Sequence, residues 1–164
     1  MKEKKNELEK AAESAMKHAL VFLTGDKSQA DSVSVVRGGD CLIKREIAVI
    51  VFCLGTIERS VLLATSYATA VNLAAMIQGD IPADYPEREM KLLMKDCLGE
   101  CVNLLTSHIA PAWNETKGLK VSTPSIIFGN KLNINPETSS ARDICLMTSA
   151  GIVEIVVTEY SAHN

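Results

Sequence analysis

The stretch "KDCLGECVNLL", residues 95–105, places Asp96, Glu100 and Asn103 at helical spacing inside an apolar run. On a wheel at about 100° per residue, these side chains fall in one narrow stripe together with Glu89 and Ser107. The opposite, broad side must face a core and is mostly apolar; its members are Met90, Leu93, Met94, Cys97, Leu98, Cys101, Leu104, Leu105, His108 and Ile109. The stretch therefore predicts an amphipathic helix with an exposed polar stripe.

The bounds of this helix follow from its flanking residues. A proline and two early acids suit a first helical turn, so the helix is predicted to begin at Pro86 or Glu87. It must end before Pro111, because a proline inside a helix removes a hydrogen bond and clashes with the preceding turn. The helix is expected to be more than about twenty residues long.

The rest of the chain predicts two further helices and six strands. Residues 4–23 and 67–77 keep apolar side chains at helical period, and Ser66 can cap the second helix. β-branched and apolar runs separated by turn residues, including a hairpin turn at "RGGD", predict strands at 32–36, 41–54, 60–65, 123–129, 143–149 and 152–160. The predicted class is α+β, with two long helices and a short one packed on a six-stranded antiparallel sheet. The alternating last strand is expected to expose one face.

Length and charge predict one domain over residues 1–164. Of the 164 residues, 47% are hydrophobic, which is enough for a substantial core. A net charge of -3 gives no electrostatic footprint for nucleic acid or an anionic membrane. No apolar run reaches the roughly 18 residues of a membrane span, and the N-terminus lacks a secretory signal pattern. We therefore expect a cytoplasmic protein whose partners are proteins or small molecules.

The five cysteines lie in apolar surroundings, which is typical of reduced core thiols and predicts no disulfide framework. Cys97, Cys101 and His108 share one helical face at a spacing that a metal can use. No CxxC pair or other ligand cluster accompanies them, so no metal or other cofactor is expected in this chain. The better interpretation of His108 is a core or edge histidine with a hydrogen-bond partner.

An exposed polar stripe is by default a solvated face, but the composition of this one favours chemistry. The neighbour of Glu100 one turn back is the like-charged Asp96, and no base lies one turn ahead. A carboxamide such as that of Asn103 is no general base, yet it can hold a water in line for attack. A carboxylate one turn away can bind a cation on a partner. These residue types therefore predict an active site shared between two proteins.

The pattern Asp96, three residues, Glu100, two residues, Asn103 resembles the signature of the CheC/CheX/FliY chemotaxis phosphatase family, and CheX-like members most closely. The likeness extends to "GTIERSVLLATSYATAVNLAAMIQG" before the motif and "VSTPSIIFGNKL" after it. The resemblance implies two long helices on a six-stranded antiparallel sheet and a homodimer. It also implies a phosphatase of CheY-type response regulators in two-component signalling.

Carried over to this chain, the resemblance makes Glu100 the acid that engages a receiver lysine and Asn103 the residue that orients the attacking water. Asp96 corresponds to the first motif acid, and Asp96 and Ser107 are expected to contact the partner. Magnesium is expected in the receiver and not in this chain. Many family members have glycine in the places of Val102 and Ser107, so this chain departs from the pattern twice.

The first helix contains no complete second copy of the motif. Glu9 and Glu13 have the spacing of the two motif acids, but the asparagine position is occupied by Met16. This single site favours the CheX-like over the CheC-like pattern. The alternative function is a non-catalytic dimeric module that docks a receiver domain without hydrolysing its phosphate. A third interpretation, a small-molecule sensor, lacks a convergent set of polar residues in the sequence.

Overall fold

The computed structural model describes residues 2–36, 44–113, 118–133 and 140–160. Within these ranges the helices are α1 (Lys2–Thr24), α2 (Gln29–Ser32), α3 (Tyr67–Gln78) and α4 (Glu87–Ile109), and a 3-10 turn, Ala110–Trp113, continues α4. The strands are β1 (Ser34–Val35), β2 (Ile47–Leu54), β3 (Arg59–Thr65), β4 (Lys120–Val121), β5 (Ser125–Phe128), β6 (Ser140–Thr148) and β7 (Gly151–Glu159).

The described strands form one antiparallel sheet in the order β1-β6-β7-β3-β2-β4, with β5 also paired to β2. The strand β5 pairs with the first half of β2 and β4 pairs with its last two residues. These two short strands therefore follow one another along the same edge of β2. That edge lies next to α4, which contacts β2 and β5.

The helices α1, α3 and α4 cover one face of the sheet, and the core lies between the two layers. Alternate residues of the central strands point into it, among them Val49, Leu63 and Ile155, which are fully buried. From α4, Met94, Leu98 and Leu105 meet them and are also fully buried. The α4 helix packs on α1 as well as on the sheet, so its polar stripe has one fixed orientation.

The predicted α+β class is confirmed, but the count of six strands is wrong. The seventh strand is β4, which lies at the end of a segment that reads as a polar loop. Its two residues are exposed and pair only with Cys53 and Leu54 at the end of β2. A period of two cannot be recognised in two residues, so the sequence carries no signal for this strand. The hairpin turn predicted at 37–40 lies outside the described residues.

The prediction of a half-exposed last strand is also wrong. In β7 the side chains that alternate with the core residues are themselves buried: Glu154 is 4% exposed, Val156 3% and Thr158 2%. Val156 belongs to a second apolar cluster on the face of the sheet away from the helices, against which Leu132 packs. The carboxylate of Glu154 accepts hydrogen bonds from the guanidinium of Arg45, one of them at 2.6 Å.

Local predictions at α3 hold. The hydroxyl oxygen of Ser66 accepts a hydrogen bond from the Thr69 backbone amide at 3.2 Å, as expected of an N-cap. The helix ends at Gly79, whose φ of 95° lies in the region that favours glycine. A well-placed α3 matters for the site because α3 packs directly on α4.

Three cysteines, Cys53, Cys97 and Cys101, are free and buried, as predicted. Cys145 is disulfide-bonded. The prediction that every cysteine is a reduced core thiol is therefore wrong at Cys145. Within the described ranges, no helix combines the length and the apolar content that crossing a membrane requires.

Candidate functional site

The polar stripe of α4 lies on the solvent side of the helix, as its period predicts. Asp96, Glu100 and Ser107 are exposed, and Asn103 is half-buried. Opposite them, Cys97, Leu98, Cys101 and Leu105 are buried in the core. The backbone that carries the stripe is therefore held by packing along the length of the helix, which fixes the positions from which these side chains project.

The side chains of Asp96, Glu100 and Asn103 make no hydrogen bond or ion pair with another described residue. The contrast with the first turns of α4 is clear, because there Glu87 and Lys91 form an ion pair at 2.6 Å. Along the stripe, two carboxylates and an amide keep their full hydrogen-bonding capacity for water or for a partner. The two carboxylates of the polar stripe therefore have no cationic partner among the described residues, as the sequence indicates.

Ser107 differs from the other stripe residues because its hydroxyl is already engaged. It donates to the backbone carbonyl of Leu104 at 2.8 Å and lies 3.4 Å from Nδ1 of His108. The Nδ1 atom of His108 lies 3.0 Å from the same carbonyl oxygen. The His108 ring lies 4.1 Å from that of His18 on α1, centroid to centroid. His108 is thus an edge histidine with a partner, as predicted.

Asn103 is half-buried because it lines an open groove between α4 and the segment that leads into β5. The groove has a volume of about 440 Å³, and its lining consists of Asn103, Thr106, Ser107, Ala110, Leu119, Val121, Ser122, Thr123 and Pro124. Pro124 lies against α4 at Gly99, where an added Cβ would be 3.6 Å from the proline ring. This contact brings the segment 119–124 beside the motif.

The sequence did not predict that residues 119–124 would flank the motif. The segment contains apolar and hydroxyl side chains such as Val121 and Thr123. Their sequence pattern does not indicate that the segment packs beside a helix. The glycine at 99 was the available signal, since glycine in a helix interior often marks a close approach of another segment. At Gly99 that segment is the one containing Pro124.

The two departures from the family pattern have different surroundings. Val102 is fully buried and belongs to the main core, so its bulk is used in packing and does not lie on the stripe. Ser107 is exposed at the end of the stripe, beside the groove that Asn103 lines. Only the residue at 107 is therefore placed to touch a partner that approaches Asn103.

The first helix offers no equivalent surface. Met16, at the position where an asparagine would complete a second motif, is fully buried, and its sulfur lies 4.0 Å from Sγ of Cys101. Glu13 is paired with Lys17 at 2.7 Å. The face of α1 that carries the incomplete motif thus packs partly on α4.

Cys97 and Cys101, the two cysteines at metal-ligand spacing on α4, are free and buried. Burial raises the pKa of the Cys101 thiol to about 12, and burial followed by the charge of Asp96 raises the pKa of Cys97. Burial therefore disfavours deprotonation of both thiols. Within the described ranges, no group of three or more histidine, cysteine or acidic residues is arranged to hold a metal ion.

Comparison with protein-family models finds a match over residues 47–148, more than half of the chain, to the model described as chemotaxis phosphatase CheX. The chain belongs to the CheX family. The matched range runs from β2 to β6 and contains the whole of α4 with its stripe. The comparison with curated protein sequences finds no match.

Solved structures share the fold at low sequence identity. The crystal structure of the CheX-CheY-BeF3-Mg2+ complex from Borrelia burgdorferi matches with a TM-score of 0.72 and 19% identity, covering 93% of this chain and 97% of that chain. A CheX protein from Desulfovibrio desulfuricans matches with a TM-score of 0.70 and 18% identity, covering 93% and 99%. Thermotoga maritima FliY matches with a TM-score of 0.61 and 13% identity, covering 99% and 91%. At these identities the matches establish a shared CheX-like fold.

Proposed function

We propose that this protein is a phosphatase that hydrolyses the aspartyl phosphate of a CheY-type response regulator. The observation that carries the proposal is the exposed stripe of α4, where Glu100 and Asn103 have no partner among the described residues. The stripe lies in a chain of the CheX family, and a CheX of the same fold has been crystallised with CheY, BeF3 and Mg2+. Family, fold and side-chain chemistry support the same reaction.

In the proposed mechanism, Asn103 positions the nucleophile. Its carboxamide accepts one hydrogen bond from a water and donates another, so the water oxygen is held in line with the phosphorus. The oxygen attacks phosphorus, the bond to the aspartyl oxygen breaks, and the carboxylate leaves with the electron pair. Both protons of the water go to the phosphate product, which is released as dihydrogen phosphate and equilibrates with solvent. No protonation change of Asn103 is needed, because an amide orients the water without acting as a base.

Glu100 binds the receiver and fixes the position of the receiver along α4. A carboxylate without an intramolecular partner can form a charge-assisted hydrogen bond with a lysine of the receiver. Since Glu100 lies about one turn before Asn103, this contact fixes where the amide enters the receiver's site. We propose that Asp96 and Ser107 contact the same partner on either side.

The chain is proposed to bring no cofactor of its own. The magnesium ion that neutralises the phosphoryl oxygens is expected in the receiver domain, where it stabilises the charge that develops on these oxygens during transfer. We also propose that residues 1–164 form one CheX-like domain, that it acts in the cytoplasm, and that it is a homodimer. Nucleic acid and membranes are not among the proposed partners.

The rival function is a dimeric module that docks a receiver without hydrolysis. Both functions use the carboxylates of the polar stripe to bind the receiver. Only hydrolysis also needs the amide of Asn103. The half-buried position of that amide, inside a groove that excludes part of the solvent, favours catalysis over simple docking.

The proposal is tested by the decay of a purified, phosphorylated CheY-type receiver in the presence of this protein. We expect faster decay with the wild type, and a loss of about 100-fold in kcat for Asn103→Ala, because a misplaced nucleophile costs that much. Asn130→Ala, which removes an exposed amide far along the chain, is the control and should behave as the wild type. Equal decay with and without the protein, across the chemotaxis receivers of the same genome, would reject the proposal.

A further inference from the structure

The exposed face of α4 carries a second feature that the motif does not include. Leu92 is 53% exposed and lies in the second turn of α4, just before Met94, the first buried residue of the helix. At about 100° per residue it lies within roughly 20° of Asn103 around the helix, so both point in nearly the same direction. A single exposed leucine is ordinary in a folded protein. This one is aligned with the motif, so a partner that binds the motif can also cover it.

Cations flank Leu92 on the side away from Glu89 and Glu100. Arg88 and Lys95 lie one turn before and after Leu92, and both are exposed. Neither makes a hydrogen bond or ion pair with another described residue. Around the helix they fall on the side that faces the β4–β5 edge, about 100° or more from Glu100. The exposed face of α4 is therefore acidic along one border and basic along the other.

The surface beside Leu92 is concave. A groove of about 450 Å³ is lined by Glu87, Arg88, Lys91, Leu92, Lys95 and Phe128. Its far wall is Phe128 of β5, whose ring lies 5.9 Å from Nζ of Lys91. Pro124 on Gly99 separates this groove from the one that Asn103 lines, so the two follow one another along the same border of α4.

We infer that Leu92, Arg88 and Lys95 form a second docking patch for the same receiver, and that the patch takes an acidic surface carrying an apolar side chain. This inference rests on the proposed function. The distance fits, because Leu92 lies eleven residues before Asn103, or about 16 Å along the axis. A typical interface of about 800 Å² per partner is roughly 30 Å wide, so one receiver placed over Asn103 reaches the patch.

The patch determines the orientation in which the receiver binds to α4. A receiver must bring a cation to Glu100 and an acidic surface to Arg88 and Lys95, so only one orientation on α4 satisfies both ends. The apolar contact at Leu92 lies between these charges, where exclusion of water strengthens them. The patch is thus a specificity determinant that selects among receivers and contributes to KM without touching the reacting atoms.

The test is the rate of phosphate loss as a function of receiver concentration, with the receiver phosphorylated by acetyl phosphate. For Leu92→Ala we expect KM to rise about 5- to 10-fold with kcat within about twofold of the wild type, since only uniform binding is lost. For the double variant Arg88→Glu with Lys95→Glu we expect a rise of at least about 10-fold in 50 mM salt. That rise should shrink to about threefold or less in 500 mM salt, where charge interactions are screened.

Two control variants match these changes. Met147→Ala shortens a 41% exposed apolar side chain on the face of the sheet away from α4. Lys10→Glu with Lys27→Glu makes the same change in net charge at exposed positions outside α4. Both controls should leave KM within about twofold of the wild type. A KM for the Leu92 and the double variants that also stays within twofold would overturn the inference.

Failure of the proposed function is distinguishable. If the wild type does not accelerate decay, binding of the receiver saturated with BeF3 and Mg2+ is measured instead by titration calorimetry. A Kd at least about fivefold weaker for the double variant than for its charge control then supports the patch on a non-catalytic module. Equal affinity of the two variants, or no binding by the wild type, overturns the inference.

Discussion

Gly99 shows how a single residue links the motif to its surroundings. Glycine costs about 0.5–1 kcal/mol relative to alanine in a helix interior, and the helical pattern alone gives no reason to keep it. The structure supplies a neighbour, because Pro124 packs directly on Gly99. An added Cβ would be 3.6 Å from the proline Cβ, which is ordinary van der Waals contact. The packing therefore tolerates a methyl group, and stability does not explain the glycine.

We predict that Gly99→Ala raises the free energy of unfolding by about 0.5–1 kcal/mol, because the helix gains propensity without a clash. Urea denaturation followed by circular dichroism measures the change. Gly151→Ala is the opposite case, since φ there is 137° and a Cβ would be 2.4 Å from Oγ1 of Thr69. That variant should lose stability, and a loss of similar size at Gly99 would show that the Pro124 contact leaves no room.

Among elements, α4 was the most predictable and the short edge strand β4 the least. Proline at each end and a long 3.6-residue period determine α4, and its observed bounds, Glu87–Ile109, agree with the prediction. The strand β4 has two residues and depends on the end of β2 for its pairing. Local pattern cannot reveal an element whose existence depends on a distant strand.

The second face of β7 was mispredicted for a related reason. Alternating polar residues normally point to solvent, but Glu154 is buried because Arg45, more than a hundred positions away, neutralises it. The pair is close to bidentate, and the Glu154 side chain is 5% exposed against 25% for Arg45. The charge of Glu154 is therefore satisfied by tertiary structure, which the strand's own sequence does not contain.

We predict that Glu154→Gln lowers the free energy of unfolding by about 2–3 kcal/mol, because it leaves the partly buried guanidinium of Arg45 without its counter-charge. Replacing both partners, with Arg45→Met and Glu154→Leu, should recover most of the loss. Chemical denaturation measures both variants. Glu13→Gln, which breaks the partly exposed i,i+4 pair with Lys17, is the control and should change stability by less than about 0.5 kcal/mol. A Glu154 variant as mild as this control would contradict the structural role of the pair.

At the scale of the whole molecule, the sequence located the stripe of the candidate site but not the surfaces around it. Asp96, Glu100, Asn103 and Ser107 lie on one helix, so period alone brings them together. The grooves on either side of Pro124 need the β4–β5 edge to run beside α4. Leu92 was left out of the predicted site because an exposed leucine has meaning only once its neighbours are known.

Dimerisation also belongs to this scale. Phe52, Leu54 and Ile127 are 42%, 49% and 51% exposed, and their pairing places them on the face of the sheet away from the helices. We predict a dimer at micromolar concentration, and light scattering measures it. Phe52→Glu with Leu54→Glu should yield a monomer because charge is costly in an apolar interface. Phe22→Glu, on α1, should leave the dimer intact, and a monomeric wild type would contradict the prediction.

The central claim, that Asn103 positions the water while the rest of the stripe binds the receiver, is tested most directly by measuring binding and hydrolysis on the same variant. For Asn103→Ala we predict that the Kd for the receiver saturated with BeF3 and Mg2+ stays within about threefold of the wild type, while phosphate release at saturation falls about 100-fold. Phosphate release at the wild-type rate, with binding intact, would contradict the claim and make α4 a docking surface alone.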